Sequence, residues 1–97
     1  NLVHIVLNNE AHETVGGMPT VSKKINLPKI AEGCGYPNVI TVTSEEELHH
    51  ALEHAKTKQE LSFIEVKCAI GSRADLGRPT TTARQNKQMF MEYLQSL

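Results

Sequence analysis

The sequence predicts an α/β fold, a three-layer arrangement in which a sheet of mainly parallel strands is flanked by helices. Three observations carry that expectation. The chain opens on an almost unbroken apolar run, Leu2, Val3, Ile5, Val6 and Leu7, which stops at Asn8-Asn9. A run this short, β-branched and apolar on both faces reads as a strand buried in a parallel sheet. Further on, Leu48, Ala51, Leu52 and Ala55 recur at helical spacing and give a helix one apolar face. Strand-like and helix-like stretches then alternate, which argues for parallel strands joined by right-handed crossovers.

Taken in order, the opening strand is followed by a polar loop containing Gly16, Gly17 and Pro19. Val21 to Ile25 fits either a short extended piece or loop. Asn26-Leu27-Pro28 starts a helix, since asparagine caps well and proline is tolerated in the first turn. That helix ends near Gly33-Cys34-Gly35, where glycine supplies the left-handed terminal conformation. Asn38 to Thr43 is rich in β-branched residues and reads as the second strand. Ser44 and Glu47 have the spacing of a capping box, and three consecutive glutamates complement the positive end of the helix that runs to about Lys58. Leu61 to Ala69 carries the third strand. After an irregular loop from Ile70, Thr82 and Gln85 form another capping box, and Met89, Phe90, Tyr93, Leu94 and Leu97 mark a stripe on the closing helix.

Composition excludes several classes. With 97 residues the chain predicts one domain, burying under ~65% of its unfolded surface. A formal net charge of -1 gives no electrostatic reason to expect nucleic acid or an anionic membrane. No apolar stretch approaches the ~20 residues that cross a bilayer. No secretory leader opens the sequence, and Cys34 and Cys68 predict free thiols in a reducing, cytoplasmic setting, packed as small buried hydrophobes. A strand buried on both faces needs neighbours on both sides, and few candidates exist. The expectation is therefore that Asn1 lies inside a larger domain, truncated on its N-terminal side, and that the exposed apolar surface drives self-association.

If the strands are parallel, Asn8-Asn9 and the loop from Arg73 to Arg78 leave the sheet at its carboxyl edge, where open α/β sheets place their ligands. An amide oxygen is a neutral, hard donor suited to Mg²⁺ or Ca²⁺, but it cannot neutralise the ion alone. The alternative is that Asn8-Asn9 simply ends a strand in a turn. Arg73 and Arg78 have the planar fork that grips an oxyanion, or they pair with Asp75 or a neighbouring segment. His50 and His54 stand four apart, but without further ligands they read as a solvated helix face. His4, inside the first strand, reads as a packed core histidine.

The stretch from Leu2 to Glu13, with Asn8-Asn9 at its centre, resembles the second half of the cofactor-binding motif of the thiamine diphosphate-dependent decarboxylases. The phrases Gly16-Gly17-Met18-Pro19-Thr20 and Gly77-Arg78-Pro79-Thr80-Thr81-Thr82 look like the branch of that family acting on phosphonopyruvate, with the sulfopyruvate branch close by. The resemblance covers essentially residues 1–97, as the C-terminal portion of the diphosphate-binding domain. It implies thiamine diphosphate and Mg²⁺ as cofactors. Asn9 would ligate the metal through its side-chain oxygen and Ala11 through its backbone carbonyl, with His12 beside the diphosphate or over the cofactor. It also implies non-oxidative decarboxylation of a 2-oxo acid in a homo-oligomer whose cofactor sits between subunits. The motif's Gly-Asp-Gly half is absent from this sequence. The metal's carboxylate ligand and the pyrimidine-binding domain are then missing too, so the 97 residues alone are expected to be inactive. An acetolactate-synthase-like enzyme and a stand-alone α/β binding module are the competing readings.

Overall fold

A computed structural model describes all residues, 1–97. Three strands form a parallel sheet: β1 (Val3–Asn8), β4 (Asn38–Val42) and β5 (Ser62–Lys67). Between them lie β2 (Ala11–His12) and β3 (Met18–Pro19), which pair as a small antiparallel hairpin. The helices are α1 (Leu27–Gly33), α2 (Glu45–Lys58) and α3 (Ala83–Gln95). No helix is long and apolar enough to cross a membrane.

The strand order is β1-β5-β4, so the last strand inserts between the first two. Crossovers of one hand that run in opposite directions along a sheet put their helices on opposite faces. The packing agrees. Ile64 and Val42 meet Ala51 of α2 on one face, while His4, Val6 and Phe63 line a hollow with Ile30 and Ala31 of α1 on the other. The result is three layers, α1, sheet and α2, as the alternating pattern predicted.

The buried strand is β5, not β1. Ser62, Phe63, Ile64 and Glu65 are all buried. The opening strand has one neighbour, and on its α2-side face Ile5 and Leu7 are 43% and 71% exposed because α2 covers only β4 and β5. His4 is likewise exposed rather than core: its Nδ1 lies 3.3 Å from the Tyr36 hydroxyl, and its ring meets Phe63 edge-on. Cys34 and Cys68 are free thiols, as expected, but both are exposed, one at the cap of α1 and one past the end of β5.

Local signals fared better. Asn26 Oδ1 accepts from Lys29 N at 2.9 Å and starts α1. Gly35, at φ +88°, turns the chain after it. Thr82 and Gln85 make the reciprocal capping box of α3. At α2, Ser44 Oγ accepts from Glu47 N, but the Glu47 carboxylate reaches one residue further back, to Thr43 N at 2.7 Å and Thr43 Oγ1 at 2.9 Å. Those two bonds hold the Glu47 carboxyl below its ordinary range. The ambiguous Val21 to Ile25 contains a single 3₁₀ turn, Val21–Lys23. No residue of α3 is buried, so its apolar stripe faces solvent.

Candidate functional site

Because the three long strands are parallel, Asn8, Val42 and Lys67 all end at one edge of the sheet. The chain leaves β1 there through a tight turn into the β2–β3 hairpin. Glu10 sits in that turn at φ +58°, a conformation that side chains other than glycine seldom adopt. Its backbone is held on both sides. Glu10 N donates to Asn8 Oδ1 at 3.1 Å, and Thr20 N donates to Glu10 O at 2.9 Å. Ser22 Oγ donates to the same Asn8 oxygen at 2.9 Å.

Asn9 closes the next step of the turn. Its Oδ1 accepts from Ala11 N at 3.1 Å, and its Nδ2 donates to Glu13 Oε2 at 2.8 Å. The other Glu13 oxygen accepts from Gly71 N at 2.7 Å, which ties the first loop to the loop after β5. Asn9 and Ala11 are both half-buried, and His12 is exposed on β2 opposite Met18. The residues singled out in the sequence, Asn9, Ala11 and His12, therefore share one turn at the carboxyl edge.

The oxygens on that turn retain capacity. An amide oxygen has two lone pairs, and the Ala11 amide takes one from Asn9. The bonds across the hairpin fall on Glu10 O and His12 O, so Ala11, opposite Pro19, is a non-hydrogen-bonded position whose carbonyl faces away from β3. Both donors are neutral and hard. No three His, Cys, Asp or Glu side chains are grouped to hold a metal. Gly16 and Gly17 adopt φ +88° and +73°, yet a Cβ at either would meet nothing within 4 Å. Their requirement is the left-handed turn, not room.

Beneath this turn lies a buried carboxylate, Glu65, that no motif in the sequence marks. Glu65, on the central strand, is only 3% exposed. Asn8 Nδ2 donates to its Oε1 at 2.7 Å, and Lys67 Nζ lies 3.0 Å from the same oxygen. Thr41 Oγ1 donates to Oε2 at 3.2 Å from the other neighbouring strand. Burial pushes the carboxyl up, but the bonds from Asn8, Lys67 and Thr41 outweigh it, and Glu65 titrates below its ordinary range. Lys67 is raised by the hydrogen bond from its ammonium to Glu65 and by both glutamates' charges, its Nζ also lying 3.7 Å from Glu10 Oε1. The signal in the sequence is a lone carboxylate between Ile64 and Val66, in a strand whose other polar residues, Ser62 and Lys67, stand at its ends.

The loop after β5 separates the two arginines. Arg73 Nε is 3.3 Å from Asp75 Oδ1, the pairing the sequence allowed for. Arg78 forms no ion pair and lines an open hollow of about 420 Å³ with Glu13, Thr14, Ser72 and Leu76. That hollow adjoins the turn, because Glu13 is the residue bonded to Asn9. His50 and His54 are exposed on α2, with only Glu46 near His50 at 3.9 Å.

A parallel sheet that gathers its loops at the carboxyl edge is an α/β domain of the kind that places ligands there. Residues 1–66 match the family described as thiamine pyrophosphate enzyme, C-terminal TPP binding domain, and the chain belongs to that family. Two curated relatives align along nearly its whole length. A phosphonopyruvate decarboxylase of Streptomyces viridochromogenes is 35% identical over 94 residues, covering 97% of this chain and 24% of the relative. A phosphonopyruvate decarboxylase of Streptomyces hygroscopicus is 36% identical over 93 residues, covering 96% and 23%. The chain thus spans about a quarter of the length of these relatives. No solved structure matches it.

Proposed function

We propose that these residues form the C-terminal portion of the diphosphate-binding domain of a thiamine diphosphate- and Mg²⁺-dependent decarboxylase that converts phosphonopyruvate to phosphonoacetaldehyde and CO₂. The observation that carries this reading is the alignment of nearly the entire chain with relatives named for that reaction, on a sheet edge where Asn9 and Ala11 share one turn. When bound, thiamine diphosphate supplies the electron sink for loss of CO₂ from a 2-oxo acid.

This chain's part is to anchor. Asn9 Oδ1 and the Ala11 carbonyl are hard, neutral oxygens of the kind Mg²⁺ accepts, and the diphosphate contributes the charge they lack. His12, exposed one residue further on, stands beside the same turn. Neither oxygen brings a charge, so the carboxylate ligand comes from residues outside this sequence. The chain by itself then neither retains the cofactor nor turns over substrate. In the complete enzyme, a second subunit and the remainder of its own chain finish the site, and a cytoplasmic setting accords with the two exposed free thiols.

The full-length protein carrying this chain tests the reading. It should release CO₂ from phosphonopyruvate, dependent on thiamine diphosphate and Mg²⁺, and from sulfopyruvate more slowly. Replacing Asn9 by alanine should raise the Mg²⁺ concentration for half-maximal activity about tenfold, or about 1.4 kcal/mol. Faster turnover of sulfopyruvate would reassign the substrate, and no CO₂ release from either acid would overturn the reading.

A further inference from the structure

The turn that carries Asn9 and Ala11 is closed by its own asparagines, Asn8 Oδ1 accepting from Glu10 N and Asn9 Oδ1 from Ala11 N. Glu10 sits at φ +58°, held there by the bond from its N to Asn8 Oδ1 and by the bond from Thr20 N to its O. The first of those bonds depends on how the Asn8 amide is turned. The Asn8 amide is the direct brace, accepting from Glu10 N through Oδ1, and an amide can flip to present nitrogen in place of oxygen. Glu10 N, which can only donate, calls for the oxygen on its side. Glu65 enforces the same choice from the other end, because a carboxylate accepts only, so Nδ2 must face Glu65 while Oδ1 faces Glu10 N.

A second arm reaches the same place. Lys67 Nζ spans Glu65, at 3.0 Å, and the Glu10 side chain, at 3.7 Å. Thr41, on β4, fixes the second Glu65 oxygen, so the carboxylate cannot rotate away. Glu65 is therefore anchored by the sheet and grips the turn by both main chain and side chain.

We propose that Glu65 is a positioning residue for cofactor binding: from the central strand it locks the Asn8 amide and, through Lys67, Glu10, so that the Asn9 side-chain oxygen and the Ala11 carbonyl are presented together to a magnesium–diphosphate group. The proposal rests on the functional reading above and assigns a role to a residue that touches neither metal nor cofactor.

The test is calorimetric titration of the full-length protein with thiamine diphosphate at fixed Mg²⁺, which reads binding without turnover. Glu65→Ala removes the acceptor and should weaken binding at least about tenfold. Glu65→Gln keeps an oxygen for Asn8 Nδ2, and the Thr41 hydroxyl can turn to accept from the new amide, so its affinity should stay within about threefold of wild type. Asn8→Asp sets two carboxylates face to face and should weaken binding as the alanine variant does. The exchange Asn8→Asp/Glu65→Gln restores a donor–acceptor pair and should recover the affinity. That pair carries the test if the alanine variant does not fold.

Ile64→Val, a neighbouring core change facing α2, gives the comparison for general loosening, and its affinity should match wild type. Equal loss in the Ile64 and Glu65 variants, or no recovery in the exchanged pair, overturns the positioning role. A wild-type protein that binds no thiamine diphosphate overturns the functional reading and this role with it.

Discussion

Asn8 Nδ2 donates to Glu65 Oε1 at 2.7 Å, joining the end of the first strand to the middle of the last across 57 positions of sequence. Both side chains are buried, and each has further partners, so no buried polar side-chain atom is left without a hydrogen bond. Satisfied in this way, a buried polar group fixes geometry; left half-satisfied, it is worse than an apolar core. The site's behaviour under substitution and pH follows from that contrast.

Removal of the acceptor should be the costlier change. Glu65→Ala strands the Asn8 amide, which is buried, whereas Lys67 is partly exposed and recovers water. A loss of about 2 kcal/mol is expected, the usual penalty for orphaning a buried donor. Thr41→Val removes one bond at a strand open to solvent and should cost about 0.5 to 1 kcal/mol. Denaturant midpoints of the two variants in the full-length protein, at unchanged slope, check the ranking.

The network also sets a pH window. Glu65 has a folded value below its unfolded one, so its stabilisation is complete above the ordinary carboxylate range and is lost as pH falls through the depressed value. Lys67 is shifted upward, so its contribution is complete below the ordinary lysine range and is lost as pH rises through the raised value. Both are at full strength near neutrality. Melting temperature plotted against pH should fall on the acid side, and Glu65→Gln should flatten that fall.

The two arginines should part company kinetically. Arg73 is already paired with Asp75, while Arg78 faces the hollow beside Glu13 without an ion-pair partner. On the proposed function the substrate is a dianionic phosphonate, which needs a free cation. Arg78→Ala should raise KM for phosphonopyruvate about tenfold in the full-length enzyme, and Arg73→Ala should change it less than about twofold. Equal effects would remove Arg78 from the substrate.

The isolated 97-residue chain should self-associate. One edge of β1 has no strand partner, and the α3 stripe of Met89, Phe90, Tyr93 and Leu94 is exposed. Open edges and apolar patches of this kind seek partners. Sedimentation equilibrium should show mass above the monomer, reduced by Phe90→Glu with Leu94→Lys. A clean monomer at high concentration would refute it.

Sequence alone determined what depends on neighbours a few positions away. The start of α1 at Asn26, the capping box of α3, the three strands and their parallel sense all follow from capping chemistry, helical spacing and the strand–helix alternation. So does the placing of Asn9, Ala11 and His12 on one turn, since they adjoin the strand's end. Pairing across the sheet was decided only in three dimensions. A run of apolar residues is the same whether its strand is central or at an edge, and which applies depends on where later strands insert. Here β5 enters between β1 and β4, so the apolar opening strand is exposed and a glutamate is buried. The reversals at His4, Cys34 and Cys68 have a related cause: burial belongs to the packed layers, which cover β1 and both cysteine positions incompletely. The bond from Asn8 to Glu65 follows from the register that aligns Asn8 with Lys67 and Thr41 with Glu65, a product of the assembled sheet.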